Sequence, residues 1–197
     1  MALSACAKII NYSPATCAII SGGISSLYIF DTTVFDFTQA SPVSGVVQPY
    51  TAITDLGTSS KIYQVKFERM SAEYDFSMKN DDGVSPAYTH KCMFNVPRID
   101  MLSSQWAQLI NTQGYCCGIG IIMVLNSGDI LIMGEASVNA ASLVPIFNVY
   151  QDGTKGNSGK KGSDKNTVGV TLTSIEYFRP LIQYTGALST ITALIAP

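Results

Sequence analysis

The feature that most constrains the fold is an apolar hairpin that runs from Gly118 to Glu135. Alternate residues from Ile119 to Leu125 would lie on one face of its first strand, and Ile122 and Val124 would lie on the other. The segment Asn126-Ser127-Gly128-Asp129 consists of residues that favour a turn. An antiparallel strand with two apolar faces must be covered on both sides, either by the helix and core of this chain or by another subunit.

Upstream of the hairpin, the sequence alternates between apolar and polar residues, which is typical of strands with one buried face. The alternation runs from Tyr63 to Glu68, from Ala72 to Lys79 and from Ala87 to Val96, and Pro97 ends it. Because Asn80-Asp81-Asp82-Gly83 supplies a turn, the pattern predicts an antiparallel meander. Two further strands are predicted at 25–30 and 168–177.

The spacing of apolar residues changes to a helical one after Pro97. Ile99, Leu102, Trp106, Leu109 and Ile110 are spaced for one face of a helix, and Gly114 is placed to end it. We therefore predict a mainly β fold, an antiparallel β-sandwich or barrel with one flanking α-helix and long assembly loops.

The surface of this domain should carry little charge. Charged residues make up 13% of the 197 residues, against about 25% in a typical globular protein. Because the cores of subunit interfaces are depleted in charge, the deficit favours an obligate oligomer. A surface that is merely rich in Ser, Thr and Asn is the alternative. The net charge of −2 excludes a broadly basic nucleic-acid binder and leaves room for one local basic patch.

We divide the chain into an N-terminal arm (1–24), a β-domain (25–180) and a C-terminal tail (181–197). Two long loops, 31–60 and 151–167, interrupt the domain and are expected to contact neighbouring subunits. In the first loop, the aromatic residues Phe35, Phe37 and Tyr50 are the predicted docking residues. In the second, Lys160 and Lys161 are predicted to make an electrostatic contact, and a solvated loop is the alternative.

No residue pattern points to catalysis, a metal or a cofactor. His90 is the only histidine, and the five cysteines contain no C-x-x-C pair. Gly159-Lys160 lacks the spacing of a phosphate-binding loop. No apolar segment approaches the roughly 18 residues of a membrane-spanning helix. We expect a protein that is not an enzyme and does not enter a membrane.

The order of these elements resembles that of phage tail-tube-type structural proteins, as found in phages and prophages of Bacteroidetes hosts. The likeness covers residues 15–178 by pattern, and the order of elements carries it. Its parts are the segment Cys17-Ala-Ile-Ile-Ser-Gly-Gly-Ile-Ser-Ser-Leu-Tyr-Ile-Phe-Asp31, the paired strands from Lys61 to Lys79, the strand Ala87–Val96, the helix Met101–Asn111, the hairpin Ile121–Gly134 and the strand Val168–Ser174.

This resemblance implies a subunit that associates with itself into a ring, usually a hexamer, with a lumen through which DNA passes without sequence-specific binding. Rings would stack through loops and arms, and other tail or neck proteins of the phage would be partners. The protein would be assembled in the host cytoplasm and would reside in the virion tail. A neck, tail-terminator or baseplate ring protein of the same fold is one alternative. A nucleic-acid-binding module that uses the lysine loop is another, and an adhesive or pilus-like subunit is a third.

Overall fold

The computed structural model describes residues 22–32, 35–40, 48–57, 61–68, 70–79, 87–97, 105–110, 119–133, 136–137, 145–146, 149–157, 166–176 and 182–196. Thirteen strands and two short helices are assigned within these ranges. The helices are α1 (105–110) and α2 (Leu188–Thr192). The strands are β1 (Ile24–Asp31), β2 (Phe35–Gln39), β3 (Tyr50–Asp55), β4 (Tyr63–Val65), β5 (Glu73–Lys79), β6 (Ala87–Pro97), β7 (Ile119–Leu125), β8 (Ile130–Met133), β9 (Ala136–Ser137), β10 (Pro145–Ile146), β11 (Val149–Asn157), β12 (Thr167–Glu176) and β13 (Ile182–Tyr184).

The fold is mainly β, as predicted, and its main sheet is mixed and does not close into a barrel. The sheet has two halves that meet where Val149 of β11 pairs with Ile119 of β7. The first half has the order β4-β1-β7-β8-β13-β3-β2, and the second has the order β11-β12-β6-β5. Among the named strands, β13 and β3 pair in parallel and the other neighbours pair antiparallel. Strands β9 and β10 form a separate pair.

The first hydrophobic core lies between the two halves of the sheet, which therefore pack as a sandwich. Helix α1 contributes to it, because Ile110 is buried there and the Trp106 ring meets the Phe94 ring edge-on at 6.2 Å. The core residues include Leu27, Ile29, Ile121, Met123, Leu131 and Met133 from the first half and Cys92, Phe94, Val168, Val170 and Leu172 from the second.

A second core covers the other face of β1, β7 and β8. It contains the side chains of those strands that point away from the first core, together with residues of β2, β3, β13 and α2. Both faces of the apolar hairpin are thus covered within one chain. The members of the second core include Tyr28, Phe30, Phe35, Phe37, Tyr50, Ile53, Ile122, Val124, Ile132, Tyr184 and Ile191.

The predicted meander is wrong in one pairing. β5 pairs with β6 as expected, but β4 pairs with β1 in the other half of the sheet. The chain crosses between the two halves after β4: Glu68 N donates to Asn95 O at 2.7 Å, and Ile24 N donates to Ala72 O at 3.2 Å. Alternation in a sequence specifies which side chains share a face, and it does not specify the neighbouring strand.

Three segments predicted as loops or tails contain regular structure. In 31–60, β2 and β3 form an antiparallel pair. In 151–167, the ladder between β11 and β12 extends to Asn157 and Thr167. In 181–197, β13 and α2 belong to the second core. The predicted arms 31–60 and 151–167 and the predicted tail are therefore corrected, within the described residues, to parts of the sheet and its core. The predicted turn at 80–83 lies outside those residues.

Candidate assembly surface

The aromatic residues predicted to dock onto a neighbour lie inside the chain. The exposed fractions of Phe35, Phe37 and Tyr50 are 3%, 6% and 1%. The Phe30 ring packs against those of Phe35 and Phe37, and the Phe37 ring packs against that of Tyr50, with centroids 5.2–5.8 Å apart. In this fold they have no surface to offer a neighbour, and we assign them to the second core. Lys160 and Lys161 lie outside the described residues.

The second half of the sheet has two open edges within the described residues. β5 ends the strand order and pairs only with β6. β11 pairs with β12 along its length and touches β7 only at Val149, so its edge from 150 to 157 has no sheet partner in the described part of the chain. An open strand edge is a ready template for another chain.

The hydrogen-bonding groups of these edges follow from the ladder. Asn95 N donates to Ser71 Oγ, and Asn95 O accepts from Glu68 N, so both main-chain groups of Asn95 point toward β5. Because these directions alternate along an antiparallel ladder, Phe76 and Met78 of β5 direct their N–H and C=O groups away from β6. By the same alternation, the N–H and C=O groups of Thr154 and Gly156 on β11 point away from β12.

Side chains on β5 divide by face. Glu73, Asp75 and Ser77 lie on the outer face of the sandwich, and Tyr74, Phe76 and Met78 lie on the inner face. Phe76 and Met78 nevertheless expose 52% and 53% of their surface. The sequence pattern predicts that both side chains lie on a buried face. It does not show that the β5 edge extends beyond the opposite half of the sheet, which covers that face.

A cluster of three rings holds β5 to β6. His90 of β6 is 2% exposed, and its Nδ1 lies 2.6 Å from the Tyr74 hydroxyl. The imidazole stacks on the Tyr74 ring at 6.0 Å and on the Phe76 ring at 6.4 Å. This arrangement fixes the position of the exposed Phe76 ring, so the edge presents an ordered apolar surface.

The outer face of the second half is polar and nearly balanced in charge. Its described charged side chains are Glu73, Asp75, Lys91, Asp152 and Lys155. Lys91 Nζ lies 3.5 Å from Asp152 Oδ2, near the middle of the face. Glu73 and Asp75 lie on β5 and Lys155 lies on β11, so each edge offers a side chain whose charge is opposite to one on the other edge.

The described residues do not support a metal site or a reactive thiol. The described residues contain no group of three or more histidine, cysteine or carboxylate side chains that could hold a metal. Burial raises the pKa of the Cys92 thiol to about 12, so that thiol stays protonated near neutral pH and is a poor nucleophile or ligand.

The chain matches no known family model, no curated protein and no solved structure. No helix in the described ranges is long and apolar enough to span a membrane.

Proposed function

We propose that this chain is a non-enzymatic structural subunit that associates with itself into a ring through the β5 and β11 edges, as in a phage tail tube. The observation that supports the proposal most strongly is the pair of open edges on one four-stranded antiparallel sheet, with opposite charges on a shared face. The low charge content of the chain agrees with a surface that is largely covered in an assembly.

Strand direction favours a head-to-tail ring. In the order β11-β12-β6-β5 every neighbour is antiparallel, so β11 and β5 run in opposite directions. When copies are related by a rotation about an axis near the strand direction, β5 of one copy meets β11 of the next in antiparallel orientation. The inner faces of all copies then lie on one side of the ring wall, and the outer faces lie on the other. Such a heterologous contact closes into a cyclic ring or continues as a helix.

A register that pairs Phe76 with Thr154 satisfies both the backbone and the charges. Phe76 and Thr154 both direct their hydrogen-bonding groups to the open edge, and both side chains lie on the inner face. Placing Phe76 opposite Thr154 of the next copy brings Asp75 directly opposite Lys155. Opposite charges at directly facing positions stabilise a strand pair by roughly 0.2–1 kcal/mol.

In such a ring, the polar outer face would line the lumen. Its threonine-rich central strands and near-balanced charge suit a conduit along which DNA moves without sticking. A basic lining would instead bind the phosphate backbone. We extend the proposal to stacked rings in a virion tail, with neck, tail-terminator or baseplate rings as variants of the same assembly.

The proposal predicts that a charge reversal on β11 weakens assembly and that a second reversal on β5 restores it. Lys155→Glu places two carboxylates opposite each other, and we expect the concentration at which oligomers form to rise about tenfold, or about 1.4 kcal/mol per contact. Adding Asp75→Lys should return it toward the wild-type value. The measurement is size-exclusion chromatography with light scattering across protein concentration, with negative-stain imaging of the largest species.

Lys61→Glu is the matched control, because Lys61 is exposed but lies outside the second half of the sheet. It should leave assembly unchanged. A wild-type chain that stays monomeric at high concentration contradicts the proposal. Salt-sensitive binding of duplex DNA by that monomer would instead favour the nucleic-acid-binding module.

A further inference from the structure

A groove of about 760 Å³ opens beside the start of β1. It forms because β1 and β4 pair only as far as Leu27 and Val65, after which the chain leaves the first half of the sheet. Its floor is apolar, with Ile24, Val65 and Ala72, and Lys66 supplies the one charged group among the described residues that line it.

Met70 stands at the rim of this groove in an unusual backbone conformation. Its φ is +62°, a value that costs an L-residue energy, and 91% of its side chain is exposed. The next residue, Ser71, is held in place, because its Oγ donates to Glu68 O at 2.7 Å and accepts from Asn95 N at 3.2 Å. A strained residue that presents an apolar side chain to solvent points to a contact site.

A complementary projection exists elsewhere on the chain. Leu56 follows β3 and exposes 64% of its surface. The Gly57 N–H donates to Asp55 Oδ1 at 2.8 Å, which closes a tight turn beneath the leucine. The projection therefore combines one apolar side chain with an adjacent carboxylate, and the groove combines an apolar floor with Lys66.

The two features lie at opposite ends of the sandwich. The groove is at the start of β1, where Asn126 N donates to Gly23 O. Leu56 is at the other end, because Asp55 pairs with Phe35 and the Phe35 ring meets Phe30 near the end of β1 at 5.8 Å. An eight-residue strand spans about 23 Å. The projection does not line the groove of its own copy, and a second copy placed end to end would bring its groove to the projection.

We propose that Leu56 of one copy inserts into the groove beside Met70 of the next, with Asp55 close to Lys66, and that this contact joins copies along the ring axis. The inference rests on the proposed function, because it supplies the axial contact of a stacked assembly. It is independent of the β5 and β11 edges, because neither strand contributes the projection or lines the groove.

Cross-linking tests the contact directly. A chain with both Leu56→Cys and Met70→Cys carries one introduced thiol at each end, so oxidation should give a ladder of multimers on a non-reducing gel. Each variant with one introduced cysteine should give no multimer larger than a dimer, apart from cross-links that the wild type also gives through its native cysteines. Mass spectrometry should identify the peptide pair that links positions 56 and 70. The ladder should persist in the Lys155→Glu background.

The outcomes separate the two proposals. If rings form and no peptide pair links positions 56 and 70, the axial contact is wrong and the ring proposal stands. If the pair forms in a chain that makes no rings, the axial contact stands and the ring proposal is wrong. If neither is observed, both are wrong.

Two further variants distinguish docking from folding. Leu56→Ser should reduce end-to-end association at least tenfold, whereas Leu188→Ser, at another partly exposed leucine, should not change it. Met70→Gly should also reduce association, with a melting temperature equal to or above that of the wild type, because glycine accepts the positive φ. A lower melting temperature together with unchanged association would show that Met70 has a purely structural role.

Discussion

At the scale of single residues, Gly120 packs tightly against Phe30 of the second core. A Cβ on Gly120 would lie 2.2 Å from the Phe30 ring, and that ring is 1% exposed. The ring also meets those of Phe35 and Phe37, so it has little freedom to move. We expect Gly120→Ala to lower the free energy of unfolding by roughly 1–3 kcal/mol, measured by urea denaturation.

Gly153→Ala is the control for this substitution, because Gly153 also lies in a strand and a Cβ added to it would meet nothing within 4 Å. It should change the unfolding free energy by less than about 0.5 kcal/mol. Combining Gly120→Ala with Phe30→Leu should recover part of the loss. Equal effects of the two alanine substitutions would argue against tight packing at Gly120.

At the scale of elements, the sequence predicts strands well and their partners poorly. The alternation in β5, β6 and β7 identifies the strands and their faces. It does not show that the chain crosses from one half of the sheet to the other after β4, because that depends on hydrogen bonds between distant segments. β2 is only five residues long and β11 contains two glycines. Both therefore resemble loops in the sequence, and their ladders with β3 and β12 override the weak local preference.

The C-terminal element shows the same effect and can be tested. α2 has no side-chain cap hydrogen bond at its N-terminus, so it depends on packing rather than on local signals. Ile191 is fully buried in the second core, and main-chain bonds join Ile62 to Leu194 and Ala196. We expect Ile191→Ala to lower the unfolding free energy by roughly 2–4 kcal/mol.

Leu188→Ala is the matched control on the same helix, because Leu188 is 39% exposed, and it should cost less than about 1 kcal/mol. Both values come from denaturant titration of the monomer. A small effect at Ile191 would mean that 181–197 behaves as a tail, as the sequence pattern predicts, rather than as part of the core.

At the scale of the whole molecule, both apolar faces of the central strands are covered by the chain itself, so assembly does not require opening a core. Within the described residues, the second half of the sheet offers a neighbour one polar face, two strand edges and a few exposed apolar side chains. The low charge in the sequence predicts self-association, and it does not locate the surface. The residues that the sequence favours for docking are aromatic, and the fold uses those aromatics internally.

The edge contact makes a prediction that depends on alternation along β5. In the monomer, the amide hydrogens of Asp75 and Ser77 face β6 and should exchange slowly, whereas those of Phe76 and Met78 face the open edge and should exchange quickly. Assembly through β5 and β11 should slow exchange at Phe76 and at Thr154 of the partner strand, and should leave Asp75 nearly unchanged. Hydrogen exchange read at single residues, below and above the assembly concentration, measures this. Uniform slowing along β5 would point to general burial, and unchanged rates at Phe76 in an assembled sample would place the interface elsewhere.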